Sequence, residues 1–165
     1  GYAGVTKFMK SSIPALPGKQ KPYIMAHRGN KVKCPENTLA AFRRALEDGA
    51  DIIETDIHPT ADGTFICIHD ATVNRTTNGN GEVEAMTLEE IRQLNAANGH
   101  SGFANEKVPT LQEFIELIPQ DVAIALELKS ARFMEPEVCR RLVKQLRQSE
   151  ILSRTLILSF QQERH

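Results

Sequence analysis

The sequence lacks the marks of membrane proteins, disulfide-rich domains and nucleic-acid-binding proteins. No apolar run approaches the roughly 18–20 residues that span a bilayer, and no N-terminal stretch has the order of a signal peptide. The 3 cysteines are odd in number and widely spaced, which argues against a disulfide framework and a zinc knuckle. A formal net charge of -1 provides no broad basic field for nucleic acid.

The composition is otherwise that of an ordinary globular domain. The 165 residues are 41% hydrophobic and 25% charged, which suits one domain with a core. We expect a soluble protein without a transmembrane segment, and we favour the cytoplasm as its compartment. The chain begins with Gly1 rather than Met, so a periplasmic or secreted protein with an upstream signal removed stays open. The oligomeric state does not follow from the sequence.

Short apolar runs alternate with amphipathic segments, which predicts an α/β fold with a parallel sheet. Strands are predicted at residues 23–26, 51–57, 64–68, 121–128 and 155–158. Helices are predicted to begin at Asn37 or Thr38, at the capping boxes that start with Thr87 and Thr110, and at Pro136. The second and third strands are joined too closely for a crossover helix, so they form a hairpin or are neighbours whose helix is degenerate.

Two segments stand outside this alternation. Residues 1–22 have no sustained periodicity, and we interpret them as an N-terminal extension. Residues 70–107 form an excursion between the third and fourth predicted strands, with two glycine-rich patches. The organisation predicted is therefore an extension at 1–22 and a domain at 23–165.

Ionisable residues stand at or near the C-terminal ends of the first four predicted strands. They are His27 and Arg28, Glu54 and Asp56, His69 and Asp70, and Glu127 and Lys129. The C-terminal edge of a parallel sheet is where sites form in barrels and in open sheets. Residues two apart on a strand share a face, so Glu54 and Asp56 would repel each other unless a cation or a basic group lay between them.

The carboxylates predict a site for a hard cation. Glu54, Asp56 and Glu127 offer only oxygen ligands, which suit Ca²⁺ or Mg²⁺ better than zinc or copper. The pattern of residue types does not choose between these two ions.

The basic residues predict chemistry on a phosphate. Arg28 and Lys129 can neutralise a phosphate group. His27 and His69 can share general acid and base catalysis near neutral pH. Pro59 follows His58 directly, so we expect His58 in the loop after the second strand rather than among the ligands.

At these residues the sequence resembles the glycerophosphodiester phosphodiesterase family. The matching stretches are HRG (27–29), PENT (35–38), GADIIETDIHPTADG (49–63), HD (69–70), NRTTNGNG (74–81) and ELK (127–129). Their order, spacing and identity agree from about Ile24 to Phe160.

The resemblance implies a (β/α)8 TIM-type barrel, of which this chain contains about the first five strands. Residues 23–165 would be the N-terminal part of the barrel, with residues 70–107 as the family's inserted segment. The implied activity is hydrolysis of a small-molecule glycerophosphodiester to glycerol 3-phosphate and an alcohol.

The resemblance also implies a role for each matching residue. The implied metal ligands are Glu54, Asp56 and Glu127, and the implied acid and base are His27 and His69. The implied contacts to substrate are Arg28 at the phosphate, with Glu36 and Lys129 lining the same pocket. Asp70 and Arg75 are expected to brace the inserted segment rather than to take part in the chemistry.

Two other functions are kept open. One is a phospholipase D-type activity on lysophospholipid or sphingolipid, which a larger apolar lip around the pocket would favour. The other is a non-catalytic fragment that binds phosphorylated ligands or a partner.

Overall fold

The structure, a computed structural model, describes residues 23–159, and the expected extension at 1–22 lies outside this range. One sheet contains β1 (Met25–His27), β2 (Ile52–Pro59), β3 (Phe65–Cys67), β4 (Ala123–Leu128) and β5 (Thr155–Ser159). The α-helices are α1 (Leu39–Glu47), α2 (Leu88–Arg92), α3 (Leu111–Leu117) and α4 (Pro136–Gln148). Short 3-10 helices lie at Val83–Ala85, Ala131–Met134 and Leu152–Arg154.

The sheet is parallel except for one short strand. Its order is β1-β2-β4-β5 with parallel neighbours throughout, and β3 pairs antiparallel with the last residues of β2. The second and third strands thus form the hairpin that the sequence left as one of two alternatives. The pairing with β3 extends β2 to Pro59, so the expectation that His58 lies in a loop is wrong.

The helices begin where the sequence places their caps. Thr87 and Thr110 each form a complete capping box with the glutamate three residues later. Of the two candidate caps of α1, Thr38 caps the helix, because its hydroxyl accepts a hydrogen bond from the Ala41 N–H at 3.2 Å. Pro136 occupies the first turn of α4, where a missing N–H costs nothing.

Side chains alternate between the two faces of the sheet. Ile53 and Ile57 of β2 pack against the helices in the largest apolar cluster, in which the Phe42 and Phe114 rings meet edge to face at 4.6 Å. Each such buried side chain contributes about 1.5–3 kcal/mol. Ile52 lies on the opposite face in a smaller cluster. Glu54 and Asp56 lie two and four residues after Ile52 on β2, so their side chains share its face and are directed away from the helices.

The segment after β3 has a small core of its own. Val73, Val83 and Ile91 are fully buried there, together with Ile66 and Val108. This packing places residues 69–75 beside the C-terminal ends of β1 and β2. Within residues 23–159, no helix is both long enough and apolar enough to cross a membrane.

Candidate active site

The turn after β1 holds Arg28 against β2. Arg28 and Gly29 both have left-handed backbones, with φ of 59° and 75°. The Arg28 N–H donates to the backbone carbonyl of Glu54 at 2.9 Å and approaches its carboxylate Oε1 at 3.1 Å. A Cβ at Gly29 would lie 2.7 Å from the carbonyl carbon of Ala41, so only glycine lets α1 pack this closely.

The register of the sheet places the acidic side chains and His27 together. His27 pairs with Glu54 across β1 and β2, and Asp56 pairs with Glu127 across β2 and β4. Because side chains alternate, all four point to the face opposite the helices. Glu54 and Asp56 are 1% and 0% exposed, which is unusual for two adjacent carboxylates.

Three of these residues offer donor atoms that one cation could share. Ligand atoms of His27, Glu54 and Glu127 all lie within 4.8 Å of one another. Asp56 stands beside this group rather than within it. Its Oδ1 is buried and has no hydrogen-bond partner among residues 23–159, whereas Oδ2 accepts from the Asn37 side-chain amide at 3.1 Å. The donor set, rich in oxygen and with one buried oxygen unsatisfied, fits a hard divalent cation.

Without a cation, the negative charges of this cluster are not fully compensated by the surrounding protein. Burial, followed by repulsion from Asp56 and Glu127, raises the pKa of Glu54 well above its ordinary value. Burial likewise raises the pKa of Asp56, although Asn37 and Arg28 oppose the shift. Burial, together with the charge of Arg28, lowers the pKa of His27 to about 4. His27 is therefore neutral near pH 7, as a base or a metal ligand requires.

Arg28 lies between two carboxylates. Its Nη1 donates to Glu36 Oε2 at 3.2 Å, and its Nε lies 3.2 Å from Asp56 Oδ2 without the alignment of a hydrogen bond. The second contact is thus an ion pair alone. Nη2 makes no hydrogen bond within the part of the chain that the structure describes, which leaves it for an external anion.

Glu36 contacts two arginines. Besides Arg28, it accepts two hydrogen bonds from Arg75, at 2.8 and 3.1 Å. Hydrogen bonds from Arg75 and the charge of Arg28 outweigh burial and lower the pKa of Glu36. Its carboxylate therefore stays ionised and fixes two guanidinium groups.

The second histidine lies on the far side of this arginine pair. His69 Nδ1 is 2.9 Å from Asp70 Oδ1, and the His69 backbone carbonyl is 3.0 Å from His58 Nε2. His58 is 2% exposed, and burial lowers its pKa, so its ring is neutral. A neutral His58 can donate from Nε2 to that carbonyl and anchor the backbone of His69.

Two lysines complete the charge pattern. Lys129 Nζ lies 3.4 Å from Glu127 Oε1, and Lys31 Nζ lies 3.2 Å from His27 Nδ1. Lys129 thus stands where it can face both the Glu127 carboxylate and an anion beside it. Lys31 belongs to the exposed turn after HRG.

The structure brings the eight expected site residues to one end of the sheet. They are His27, Arg28, Glu36, Glu54, Asp56, His69, Glu127 and Lys129. Sequence reasoning missed Asn37 and Lys31, which contact members of this set directly. It set Arg75 aside as a brace, although that residue binds Glu36. The PENT and NRTT stretches contain Glu36 and Arg75 and were the only signal for this contact. A local motif does not show that two residues 39 positions apart bind each other.

Comparison with known proteins points to one family. The model of the glycerophosphoryl diester phosphodiesterase family matches residues 27–163. The glycerophosphodiester phosphodiesterase of Caldanaerobacter subterraneus subsp. tengcongensis is 45% identical over 142 residues, which cover 85% of this chain and 58% of the relative. Human glycerophosphodiester phosphodiesterase 1 is 35% identical over 153 residues, with coverages of 90% and 46%.

Solved structures agree with the sequence relatives. A glycerophosphodiester phosphodiesterase from Agrobacterium tumefaciens superposes with a TM-score of 0.78 at 35% identity, covering 86% of this chain and 59% of that one. A phosphodiesterase from Oleispira antarctica, solved with the product sn-glycerol-3-phosphate, gives 0.76 at 36% identity, covering 84% and 57%. These neighbours are TIM barrels, which confirms the expected fold class. The chain spans about half the length of the curated relatives it matches.

Proposed function

The chain belongs to the glycerophosphoryl diester phosphodiesterase family, and from this membership we propose that it hydrolyses glycerophosphodiesters to glycerol 3-phosphate and an alcohol. The observation that carries the proposal is the cluster of His27, Glu54 and Glu127 ligand atoms within 4.8 Å at the C-terminal edge of the sheet. The glycerol-phosphate product bound by the Oleispira relative supports the same product here.

A divalent cation, Ca²⁺ or Mg²⁺, is part of the proposal. Glu54 and Glu127 of the cluster would supply oxygen ligands, and Asp56, which stands beside the cluster, would add its unsatisfied Oδ1. His27 would then lie next to the ion and keep its ring nitrogen for proton transfer. The raised pKa values of the two buried acids support this, because a cation would offset the burial and repulsion that raise them. When bound, such an ion neutralises phosphate charge and polarises the oxygens it touches.

Two histidines would move the protons. His27, neutral near pH 7, accepts a proton from the attacking water as the water oxygen bonds to phosphorus. His69 returns a proton to the alcohol oxygen as the bond from phosphorus to that oxygen breaks. The Asp70 carboxylate, 2.9 Å from the His69 ring, stabilises the positive charge that this ring carries before the transfer.

Arg28 and Lys129 would receive the phosphate. Arg28 has its Nη2 N–H groups available and is fixed in place by Glu36 and Asp56. Lys129 brings its ammonium to the same end of the sheet, 3.4 Å from Glu127. Two cations beside a carboxylate cluster allow a phosphodiester anion to approach it.

The test is release of glycerol 3-phosphate from glycerophosphocholine, with and without EDTA. His27→Ala and His69→Ala should each lower kcat by about 100-fold or more, because each removes one proton-transfer group. His100→Ala is the matched control, since His100 contacts the Phe103 ring and no member of the site. Full turnover in EDTA would exclude the metal role, and wild-type rates in both histidine variants would exclude the acid–base pair.

The exposure of two apolar side chains favours assaying a lipid substrate as well. Val32 and Met134, in the segments that follow β1 and β4, are 86% and 68% exposed. Exposed apolar side chains in segments that follow the C-terminal ends of strands are what a phospholipase D-type activity on lysophospholipid would use. Lysophosphatidylcholine should therefore be assayed beside glycerophosphocholine. Choline released from the lipid at the higher kcat/KM would assign that activity, and binding without turnover of either would assign a non-catalytic role.

A further inference from the structure

A continuous set of ion pairs joins the inserted segment to His69 and to Arg28. Arg75 donates from Nε and Nη2 to the two carboxylate oxygens of Asp70 at 2.9 and 3.0 Å. It also donates from Nη1 and Nη2 to the two oxygens of Glu36 at 2.8 and 3.1 Å. A planar guanidinium is the side chain that can bind two carboxylates in this way, and a lysine cannot replace it.

Asp70 uses one oxygen for two partners. Its Oδ1 accepts from Arg75 Nη2 and lies 2.9 Å from His69 Nδ1. The hydrogen bonds from Arg75 keep the pKa of Asp70 well below its usual range, so the group facing the ring is an ionised acceptor. A ring nitrogen that faces an acceptor carries the hydrogen. Nε2, on the far side of the ring, is then the nitrogen that exchanges protons.

We propose that Asp70 and Arg75 are positioning residues of the hydrolysis. Asp70 fixes His69 in the Nδ1–H form and sets the orientation of its ring, and Arg75 fixes Asp70 against Glu36. The proposal rests on the proposed function only because it takes His69 to be the group that gives a proton to the leaving alcohol. A brace for the inserted segment would need one carboxylate on each side of Arg75, and it would not need Asp70 Oδ1 to be shared with a histidine.

The same guanidinium also acts on Arg28. Glu36 Oε2 accepts from Arg75 Nη2 at 3.1 Å and from Arg28 Nη1 at 3.2 Å. Loss of Asp70 removes the partner of the His69 ring and leaves Arg75 bound to Glu36, whereas loss of Arg75 disturbs His69 and the phosphate contact together. This difference predicts separate kinetic signatures for the two positions.

The first experiment reads the histidine tautomer directly and needs no activity. The chain is labelled with ¹⁵N-histidine, and long-range ¹H–¹⁵N spectra are recorded at about pH 8, above the ordinary titration range of a free imidazole. The His69 signal is identified by its loss in His69→Gln. We expect the Nδ1–H form in the wild-type protein and a mixture of tautomers in Asp70→Ala. An Nε2–H ring at His69 in the wild-type protein would overturn the proposal, whether or not any variant folds.

The second experiment separates positioning from structure by kinetics. Asp70→Ala should lower kcat by about 10- to 100-fold and leave KM within about twofold, as for other residues that orient a catalytic group. Arg75→Gln should lower kcat and raise KM, and Arg75→Lys should restore neither.

The control breaks an ion pair of the same kind elsewhere. Arg92 binds Glu113 through two hydrogen bonds, at 2.6 and 3.1 Å, on the far side of the inserted segment. Arg92→Gln should change neither the His69 tautomer nor kcat. Wild-type kcat in Asp70→Ala, or an equal loss in Arg92→Gln, would reduce Asp70 and Arg75 to a brace. Full activity of His69→Ala would instead remove the proposed role of His69 while the tautomer result stands.

Discussion

The side chain of Asn37 donates a hydrogen bond to Asp56 Oδ2 at 3.1 Å and accepts one from the Thr55 hydroxyl at 2.8 Å. Both the NH₂ group and the carbonyl oxygen of this side-chain amide are thus hydrogen-bonded, and the residue is 4% exposed. Asn37 has a left-handed backbone with φ of 57°, which asparagine tolerates better than most residues. One side chain at the start of α1 therefore orients a carboxylate of β2.

Asn37→Ala should lower the free energy of unfolding by about 1–3 kcal/mol, because it leaves buried partners in β2 without hydrogen bonds. It should also weaken binding of Ca²⁺ or Mg²⁺ about 10-fold or more, as Asp56 loses its orienting contact. The matched control is Asn98→Ala, which has a similar φ of 48° and no side-chain hydrogen bond within residues 23–159. Urea unfolding and metal titration measure the two effects, and equal losses in both variants would contradict the account.

Gly29→Ala should be far more destabilising than Gly99→Ala. Both glycines have left-handed φ, 75° and 77°, so the two substitutions cost similar backbone strain of about 1–2 kcal/mol. Only at Gly29 would the new Cβ also meet the Ala41 backbone, at 2.7 Å, while nothing lies within 4 Å at Gly99. We expect an additional loss of about 1–3 kcal/mol at Gly29 in urea unfolding. Equal losses at the two positions would show that α1 can move away.

The metal-free protein should lose stability as pH rises, through Glu54. The pKa of Glu54 in the fold is raised above its ordinary value of 4.5, so protonated Glu54 favours folding. This contribution is complete below about pH 4.5 and is lost as pH rises toward the raised pKa. Unfolding in EDTA at about pH 6 and pH 8.5 should show the decline in the wild-type protein, and a smaller one in Glu54→Gln. A wild-type protein no more sensitive than Glu54→Gln would contradict the assignment.

A divalent cation should reverse that decline. An ion that binds the folded state at about 100 times its Kd adds about 2.7 kcal/mol. The gain from Ca²⁺ or Mg²⁺ should grow with pH, because protons compete for the same carboxylates. Thermal unfolding with and without each ion measures it, and Glu54→Gln should lose most of the gain. A gain of equal size in Glu54→Gln would place the ion elsewhere.

Arg75→Gln should cost stability at neutral pH and progressively less as pH falls below the ordinary pKa values of Glu36 and Asp70. The pKa values of Glu36 and Asp70 are lowered in the fold, in both cases with hydrogen bonds from Arg75 among the causes. Their contribution is present above the ordinary values of 4.5 and 3.8 and is lost as pH falls through the lowered ones. We expect a loss of about 1–2 kcal/mol at neutral pH, after allowance for solvent screening.

The comparison for this variant is Arg140→Gln. Arg140 and Glu137 form an ion pair whose side chains are about 70% exposed, so removing it should change stability by less than about 0.5 kcal/mol. Urea unfolding from about pH 7 down to about pH 2 tests both variants, because Asp70 loses its charge in the fold only as pH falls toward its lowered pKa. A cost of Arg75→Gln that does not shrink in acid would mean that packing, rather than charge, gives Arg75 its effect.

Local rules were enough to predict most elements and the acidic face of the site. Alternation in residues 51–57 places Glu54 and Asp56 on one face, and the capping boxes at Thr87 and Thr110 formed as expected. These features depend on neighbours a few residues apart. The local sequence is therefore sufficient to predict them.

The partners of side chains across long separations could not be predicted in this way. Glu36 was expected to line the substrate pocket, and the sequence did not show that its oxygens also bind Arg28 and Arg75. His58 was expected in a loop because Pro59 follows it, yet β3 pairs alongside and keeps both residues in the strand. Each outcome depends on which segments meet in space, and a hydrophobic pattern does not specify that.

The alternation along β2 has a consequence for how the chain finds its pairing. A slip of one residue against β1 or β4 would turn Glu54 and Asp56 into the apolar cluster beneath the helices and bring Ile53 and Ile57 out to the ligand face. Two buried, unpaired charges would cost several kcal/mol, and lost apolar burial would add to that. The two buried acids thereby also disfavour misaligned sheets, so replacing both by apolar residues should make the strand more tolerant of slippage even where it adds stability.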